Sequence, residues 1–296
     1  PTHRSPAAAR VRMEANGALH VGIGSQDIGT GTYTVLAQIA AQELGVPVGW
    51  ATVTLGDSNL PHAPVSGGSQ TVASAGSAVL AAAQALRGKL FDMARAVAWS
   101  GVPDGALQLR AGAVHGPGGR MPIAEVMARR GVTSVEGQAS VKPGAEMEHY
   151  SMHAFGAQFA EVRVDPELGE IRVVHYVGAF DAGHVMNAKT ARSQLIGGIV
   201  YGMGMALFER TLVDEETGRI VNSNISEYLM PVNADVPPIE VIVVPNDDQV
   251  SNPLGAKGIG ELPMCGVAAA IANAVWHATG VRVRKMPIRV EDVLAV

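Results

Sequence analysis

The sequence predicts an α+β fold, two lobes of mixed sheets and packed helices, and three observations carry that reading. Short stretches alternate apolar and polar residues as strands do. Longer ones repeat apolar residues every three or four positions as helices do, and along the chain runs of strands are punctuated by single helices.

Taken in order, "ALHVGIG" (18–24) alternates and predicts a strand. "TVLAQIAAQELG" (34–45) places Val35, Leu36, Ile39, Ala40 and Leu44 on one helical face, with Gly45 and Pro47 as stop signals. Between them lies the glycine-rich turn "SQDIGTGT". "WATVTLGDS" (50–58) predicts a second strand, 59–68 a loop of Pro, Gly and His, and 70–99 a long alanine-rich helix. Residues 107–114 predict a strand, 116–119 a Gly/Pro turn and 121–130 a short helix. The pattern weakens over 132–150, which puts the lobe boundary there: a first lobe over 1–145 and a second over 146–296. In the second lobe "AQFAEVRV" and "EIRVVHYVGAF" flank "DPELG", which has the turn chemistry of a hairpin. A helix over 187–208, a hairpin over 210–222, an apolar strand at 239–245 and a well-buried helix over 263–279 complete the series.

Composition narrows the function. Only 17% of residues are charged and the net charge is −5, which suits a packed globular chain and argues against a nucleic-acid surface. Cys265 is the single cysteine, so neither an internal disulfide nor an iron–sulfur cluster bound by this chain alone is expected. The longest apolar stretch, 195–208, is short and broken by Gly197, Gly198, Gly202 and Gly204, and reads as a buried helix, not a membrane span. An opening Pro-Thr-His-Arg without Met is expected of a processed product, a split subunit or a fragment.

Four short stretches have chemical potential. "VSGGSQTVASAG" (65–76) sets Gly67, Gly68, Ser69, Gln70 and Thr71 in front of a helix. There, unpaired N–H groups and partial positive charge suit an anion, and glycine lets it approach the backbone. A plain capped loop is the competing reading. "GSQDIGTGT", with Gly29, Thr30 and Gly31, has the same ambiguity. Neither is a GxxxxGKS/T phosphate loop, and "GIGSQD" lacks the third glycine of a dinucleotide fingerprint. In "GAKGIGELP" (255–263), Lys257 and Glu261 lie on a glycine-flanked turn; Glu261 is either a helix-capping carboxylate or a base whose dry surroundings raise its proton affinity. Gln194 stands near the start of a Gly-rich helix, as an exposed or capping amide or a ligand contact. His149 and His153 have metal-ligand spacing if helical, but neither an HExxH pattern nor a third ligand accompanies them. Cys265, beside Met264 and Val267, reads as a buried, inert thiol.

Together, "GSQDIGTGTYTVLAQIAAQELG", "SGGSQTVASAG", "ARSQLIGGIVYGMG" and "GAKGIGELP", in this order over roughly 10–290, resemble the second molybdopterin-binding domain of the xanthine dehydrogenase and aldehyde oxidoreductase family. The resemblance implies that Gly67, Gly68, Ser69, Gln70 and Thr71 wrap the pterin and its phosphate, that Gly29, Thr30 and Gly31 line the same cofactor, and that Gln194 contacts the pterin end. It makes Glu261 the catalytic base and Lys257 an organiser of its turn. The metal is then held by the dithiolene sulfurs of the pterin, without protein ligands. Thr30, where many relatives carry Gln, and Leu262, where many carry a second Pro, depart from the pattern. Also implied are oxidation of aldehydes to carboxylic acids with water as oxygen source, or else hydroxylation of a purine or other N-heterocycle, and a cytosine dinucleotide form of the cofactor. The preceding molybdopterin-binding half, an iron–sulfur subunit and an FAD subunit would be partners. A cytoplasmic location is expected, or a periplasmic one through a partner's export signal. A cofactor-free structural or assembly subunit is the reading from a different class.

Overall fold

The computed structural model describes residues 4–294, which cluster into two compact units. One comprises the chain up to His153 together with Gly183–Asn187 and Asp247–Gly258. The other comprises Ala154–Ala182, Ala188–Asn246 and the residues from Ile259 onward.

The first unit is built on a four-stranded sheet. Its strands are β1 (Ala7–Glu14), β2 (Leu19–Gly22), β3 (Ala51–Thr54) and, numbered after the elements between, β7 (Ser134–Val141). Their order is β3-β2-β1-β7, with β1 antiparallel to both neighbours and β2 parallel to β3. A parallel pair needs a crossover. Here α1 (Thr32–Glu43) supplies it, as the strand–turn–helix–strand reading of 18–58 expects. α2 (Ser77–Val97) lies along the same core, and Ala7, Ala9, Val11 and Met13 of β1 meet Ala78, Ala82 and Leu86 of α2 there. β1 and β7 were not anticipated, and the 107–119 stretch resolves into three short strands, β4 (Gln108–Arg110), β5 (Ala113–Gly116) and β6 (Gly119–Pro122). α3 (Ile123–Arg129) follows, and α4 (Glu146–His149) ends before Tyr150, which is extended, so His149 and His153 do not share a helical face.

Small residues let β7 and α2 touch backbone to backbone. A Cβ at Gly137 would overlap the Ala82 carbonyl oxygen and the Leu86 amide nitrogen. Neither can retreat without breaking the helix. Gly137→Ala should therefore cost about 2 to 3 kcal/mol of stability, read as a lowered midpoint in urea. A midpoint equal to wild type would show that the two elements separate freely.

The second unit holds a three-stranded sheet ordered β10-β9-β8: β8 (Phe155–Val164) and β9 (Ile171–Asp181) form the expected hairpin, and β10 (Ile239–Val244) runs parallel to β9. α5 (Ala188–Leu207) and α6 (Val267–Thr279) pack against it through Leu195, Ile199, Met203, Val267, Ile271 and Val275, beside Tyr176 and Phe180. A short helix, α7 (Val290–Val293), closes the series. Two expectations are corrected. The 210–222 hairpin shrinks to one bridge, Val213 to Ile220, because its Asp214 carboxylate holds the turn while the flanking residues stay exposed. The final helix begins at Val267, after a 3-10 turn at Leu262–Met264, and buries only one stripe. Residues 262–279 have the length and composition of a membrane span. Interrupted by that turn, they leave 13 helical residues, only about 20 Å against a hydrocarbon core of about 30 Å.

Candidate cofactor-binding site

Three of the glycine-rich segments meet within the first unit. The 24–31 turn and the 65–71 loop are joined by Gln26 and Ser66. The Ser66 hydroxyl lies 2.8 Å from Gln26 Oε1, and the Ser66 N–H donates to the same oxygen at 3.3 Å. Neither Gln26 nor Ser66 stands out in the sequence, because a pairing between two separate loops leaves no local signal.

Asp27 shapes the first turn. Its carboxylate accepts the N–H groups of Gly29 (2.8 Å), Tyr33 (3.3 Å) and Gly31 (3.4 Å). Burial pushes this carboxyl up, but those backbone donors, with Thr30, outweigh it and hold it below the usual carboxylate range. Gly31 then caps α1 in left-handed conformation, and the Thr30 and Thr32 hydroxyls lie 3.1 Å apart. In the second loop Gly68 and Ser69 are both left-handed, with φ of 63° and 56°. Gly67 and Gly68 are exposed, and a Cβ at Gly68 would meet nothing within 4 Å. The Gln70 side chain turns inward. Only 4% exposed, it donates to the Val65 carbonyl at 3.4 Å. Thr71 begins a π-turn over Val72–Gly76 that leads into α2. No acidic residue sits in the first turn of α1, of the π-turn or of α2, so their partial positive charge is not offset locally.

The third segment returns from far along the chain. Gly183 bridges to Ala256, the His184 N–H donates to the Gly255 carbonyl at 2.8 Å, and Gly258 is packed so tightly on Ser69 that a Cβ there would lie 2.7 Å from the Ser69 carbonyl oxygen. Lys257 is 3.6 Å from Asp248, with side chains 8% and 11% exposed. Burial pushes the Asp248 carboxyl up. The Ser251 hydroxyl and N–H, the Val250 N–H and Lys257 outweigh it, leaving it below the usual range.

A folded carboxyl depressed below its unfolded value of about 3.9 stabilises the protein above that value and loses the contribution as pH falls through the lower, folded one. Asp248→Asn should cost on the order of 3 kcal/mol at pH 7, since it breaks a buried ion pair and weakens the hydrogen bonds that the carboxylate accepts. It should also flatten the fall of the urea midpoint between pH 5 and pH 2. A variant as acid-sensitive as wild type would remove Asp248 from that role.

In the second unit, Gln194 is half-buried on α5, and α5 packs on the turn that follows Glu261, with a Cβ at Gly198 overlapping the Pro263 ring. Glu261 occupies the N-cap position of the Leu262–Met264 turn without a side-chain capping bond, so capping does not account for it. The carboxylate is exposed, and the dry surroundings expected from its glycine and apolar neighbours are not built by them. Cys265 is likewise exposed, a correction to the buried reading: it lies on the outer side of the turn, its thiol 3.3 Å from the Glu261 carbonyl. Among the described residues no group of three His, Cys, Asp or Glu could hold a metal ion.

Open glycine loops at two helix starts, carrying small neutral donors, present backbone N–H groups of the kind that can receive an anion. The Molybdopterin cofactor-binding domain profile matches residues 1–237, and the chain belongs to that family. It is 42% identical over 286 residues to the aldehyde oxidoreductase molybdenum-binding subunit of Escherichia coli, covering 97% of this chain and 38% of that one. Over 295 residues it is 30% identical to an Escherichia coli xanthine dehydrogenase molybdenum-binding subunit, covering 95% of this chain and 38% of the relative. Among solved structures, quinoline 2-oxidoreductase from Pseudomonas putida 86 superposes with a TM-score of 0.88 at 26% identity, over 98% of this chain and 38% of that one. The chain thus spans less than two-fifths of the length of these relatives.

Proposed function

We propose that this chain forms one part of the catalytic cavity of a molybdenum hydroxylase that oxidises aldehydes to carboxylic acids with water as the oxygen source. The observation that carries the reading is the meeting of segments 24–31, 65–71 and 255–258 around exposed glycine backbone. Room beside these loops supports the reading: a Cβ at Gly29 or Gly68 would meet no protein atom within 4 Å. In this reading Gly67, Gly68, Ser69 and Thr71 offer N–H groups and hydroxyls to the pterin and its phosphate, joined by Gly29, Thr30 and Gly31, with the Gln194 amide at the pterin end. Lys257, locked by Asp248, steadies the turn that leads to Glu261.

When bound, the molybdenum cofactor supplies the oxygen transfer and the two-electron redox chemistry. Oxidation of an aldehyde by water releases two protons and two electrons, and Glu261 is the base that takes the first proton. The electrons leave to an iron–sulfur subunit and then an FAD subunit, and the cofactor is the cytosine dinucleotide form. Exposed apolar side chains support a partner that carries the rest of the molybdenum subunit. Phe155 and Phe159 on β8 are 60% and 66% exposed, and Ile225 is 83% exposed. Such a partner would also exclude water from Glu261. A cytoplasmic location fits this assignment.

Similarity to xanthine dehydrogenase and quinoline 2-oxidoreductase favours a second reading, hydroxylation of an N-heterocycle at the same site. Comparing kcat/KM for aromatic aldehydes and for purines separates the two. Molybdenum and pterin analysis of the purified, active complex tests both. A preparation free of metal yet fully active would overturn them together.

A further inference from the structure

Gln70 stands in the middle of the candidate cofactor loop, yet its side chain is buried and its hydrogen bonds run into the protein. We propose that Gln70 is a positioning residue, the inner strut of the loop, and does not itself touch the cofactor; the inference rests on the molybdopterin reading of that loop.

The strut is a directed chain. The Ser5 N–H donates to the Ser74 hydroxyl oxygen at 2.9 Å, that hydroxyl lies 3.5 Å from Gln70 Oε1, and Gln70 Nε2 donates to the Val65 carbonyl at 3.4 Å. Each group uses one role at each end, the hydroxyl accepting from Ser5 while offering its proton to Gln70. Val65 also accepts the Gly67 N–H at 3.0 Å, so the middle and the far end of the 65–70 loop both close on the carbonyl at its start.

Such a chain is needed because Ser69 adopts a left-handed conformation that serine seldom takes and that surrounding structure must hold. Gly258 presses on Ser69 from one direction, and the neighbouring Gln70 is anchored through the strut. Ser74 reaches Gln70 from the π-turn, a rare local widening that occurs frequently at functional sites. Ser74 has no exposed surface, so it cannot be a ligand contact. Far end and near end of the strut can therefore be cut separately.

The test uses the assembled enzyme carrying Ser74→Ala, Ser74→Thr, Gln70→Leu or the Ala/Leu pair. Molybdenum per subunit is measured, with hydrogen exchange of the 65–71 amides in cofactor-free protein. Ser74→Ala and Gln70→Leu should each lower occupancy about 2- to 10-fold, the effect of one internal hydrogen bond, and speed exchange in the loop. The double variant should be no worse than the worse single, and Ser74→Thr, which keeps the hydroxyl, should load as wild type. Full occupancy in Ser74→Ala with loss only in Gln70→Leu would make Gln70 a direct contact and overturn the strut. So would unchanged exchange in both single variants. Should Ser74→Ala fail to fold, exchange and loading in Gln70→Leu decide alone: wild-type values for both would refute the inference. A wild-type enzyme without molybdenum would instead remove the molybdopterin reading on which it rests.

Discussion

Glu261→Gln is expected to lower turnover by about 10² to 10⁴-fold, the usual worth of a general base, in enzyme whose molybdenum content equals that of wild type. Glutamine keeps the shape and removes the basicity. The substitution is a clean one because Glu261 is exposed and provides no side-chain cap to the Leu262–Met264 turn. Because glutamine keeps most of the hydrogen-bonding capacity of this exposed side chain, stability should change by about 1 kcal/mol or less. A structural carboxylate would give the opposite pattern, a lowered melting temperature with turnover per molybdenum preserved. Turnover per loaded site is therefore the quantity to measure, in single-turnover reduction by substrate so that electron exit does not mask the chemical step. A value within threefold of wild type would exclude Glu261 as the base.

Why some of this was legible in the sequence and some was not follows from what each signal measures. The β2–α1–β3 crossover stands out because Val21, Val35, Leu36 and Ile39 are large and their spacing reports the period directly. β1 alternates just as regularly, but Ala7 and Ala9 are too small to register as an apolar face. β7 is harder still. At Gly137 the packing demands no side chain at all, so the position most constrained by α2 contributes nothing to hydrophobicity. The 210–222 turn forms, with Asp214 accepting the Thr217 N–H at 2.7 Å, yet its exposed flanks pair no further than the bridge at Val213 and Ile220. At the candidate site, the glycine loops were visible as loops. Their joining by Gln26 and Ser66, and the return of 183–187 and 247–258 to the first unit, depend on tertiary contacts that a linear lobe boundary does not express. The same holds for the exposure of Glu261 and Cys265, because wetness belongs to the surroundings and not to the flanking letters.

Gly68→Val should reduce molybdenum occupancy about tenfold or more while the protein still folds. Two effects act together. At φ of 63° a β-branched residue is an outlier, and holding it there costs about 1 to 3 kcal/mol. The added methyls would also project into the space beside the loop, where no protein atom lies within 4 Å of a Cβ. That openness is why folding should survive: the side chain meets no protein, and an exposed loop can relax without disturbing the core. Gly68→Asn separates the two effects, since asparagine tolerates the left-handed region but still fills the space. If the cofactor approaches the Gly68 backbone closely, the Asn variant should also load poorly, with a urea midpoint near that of wild type. If Asn loads fully and Val does not, only the backbone conformation matters and the cofactor stands off from the glycine. If Val itself loads fully, the 67–71 loop is not the cradle, and its open glycines must answer to some other ligand.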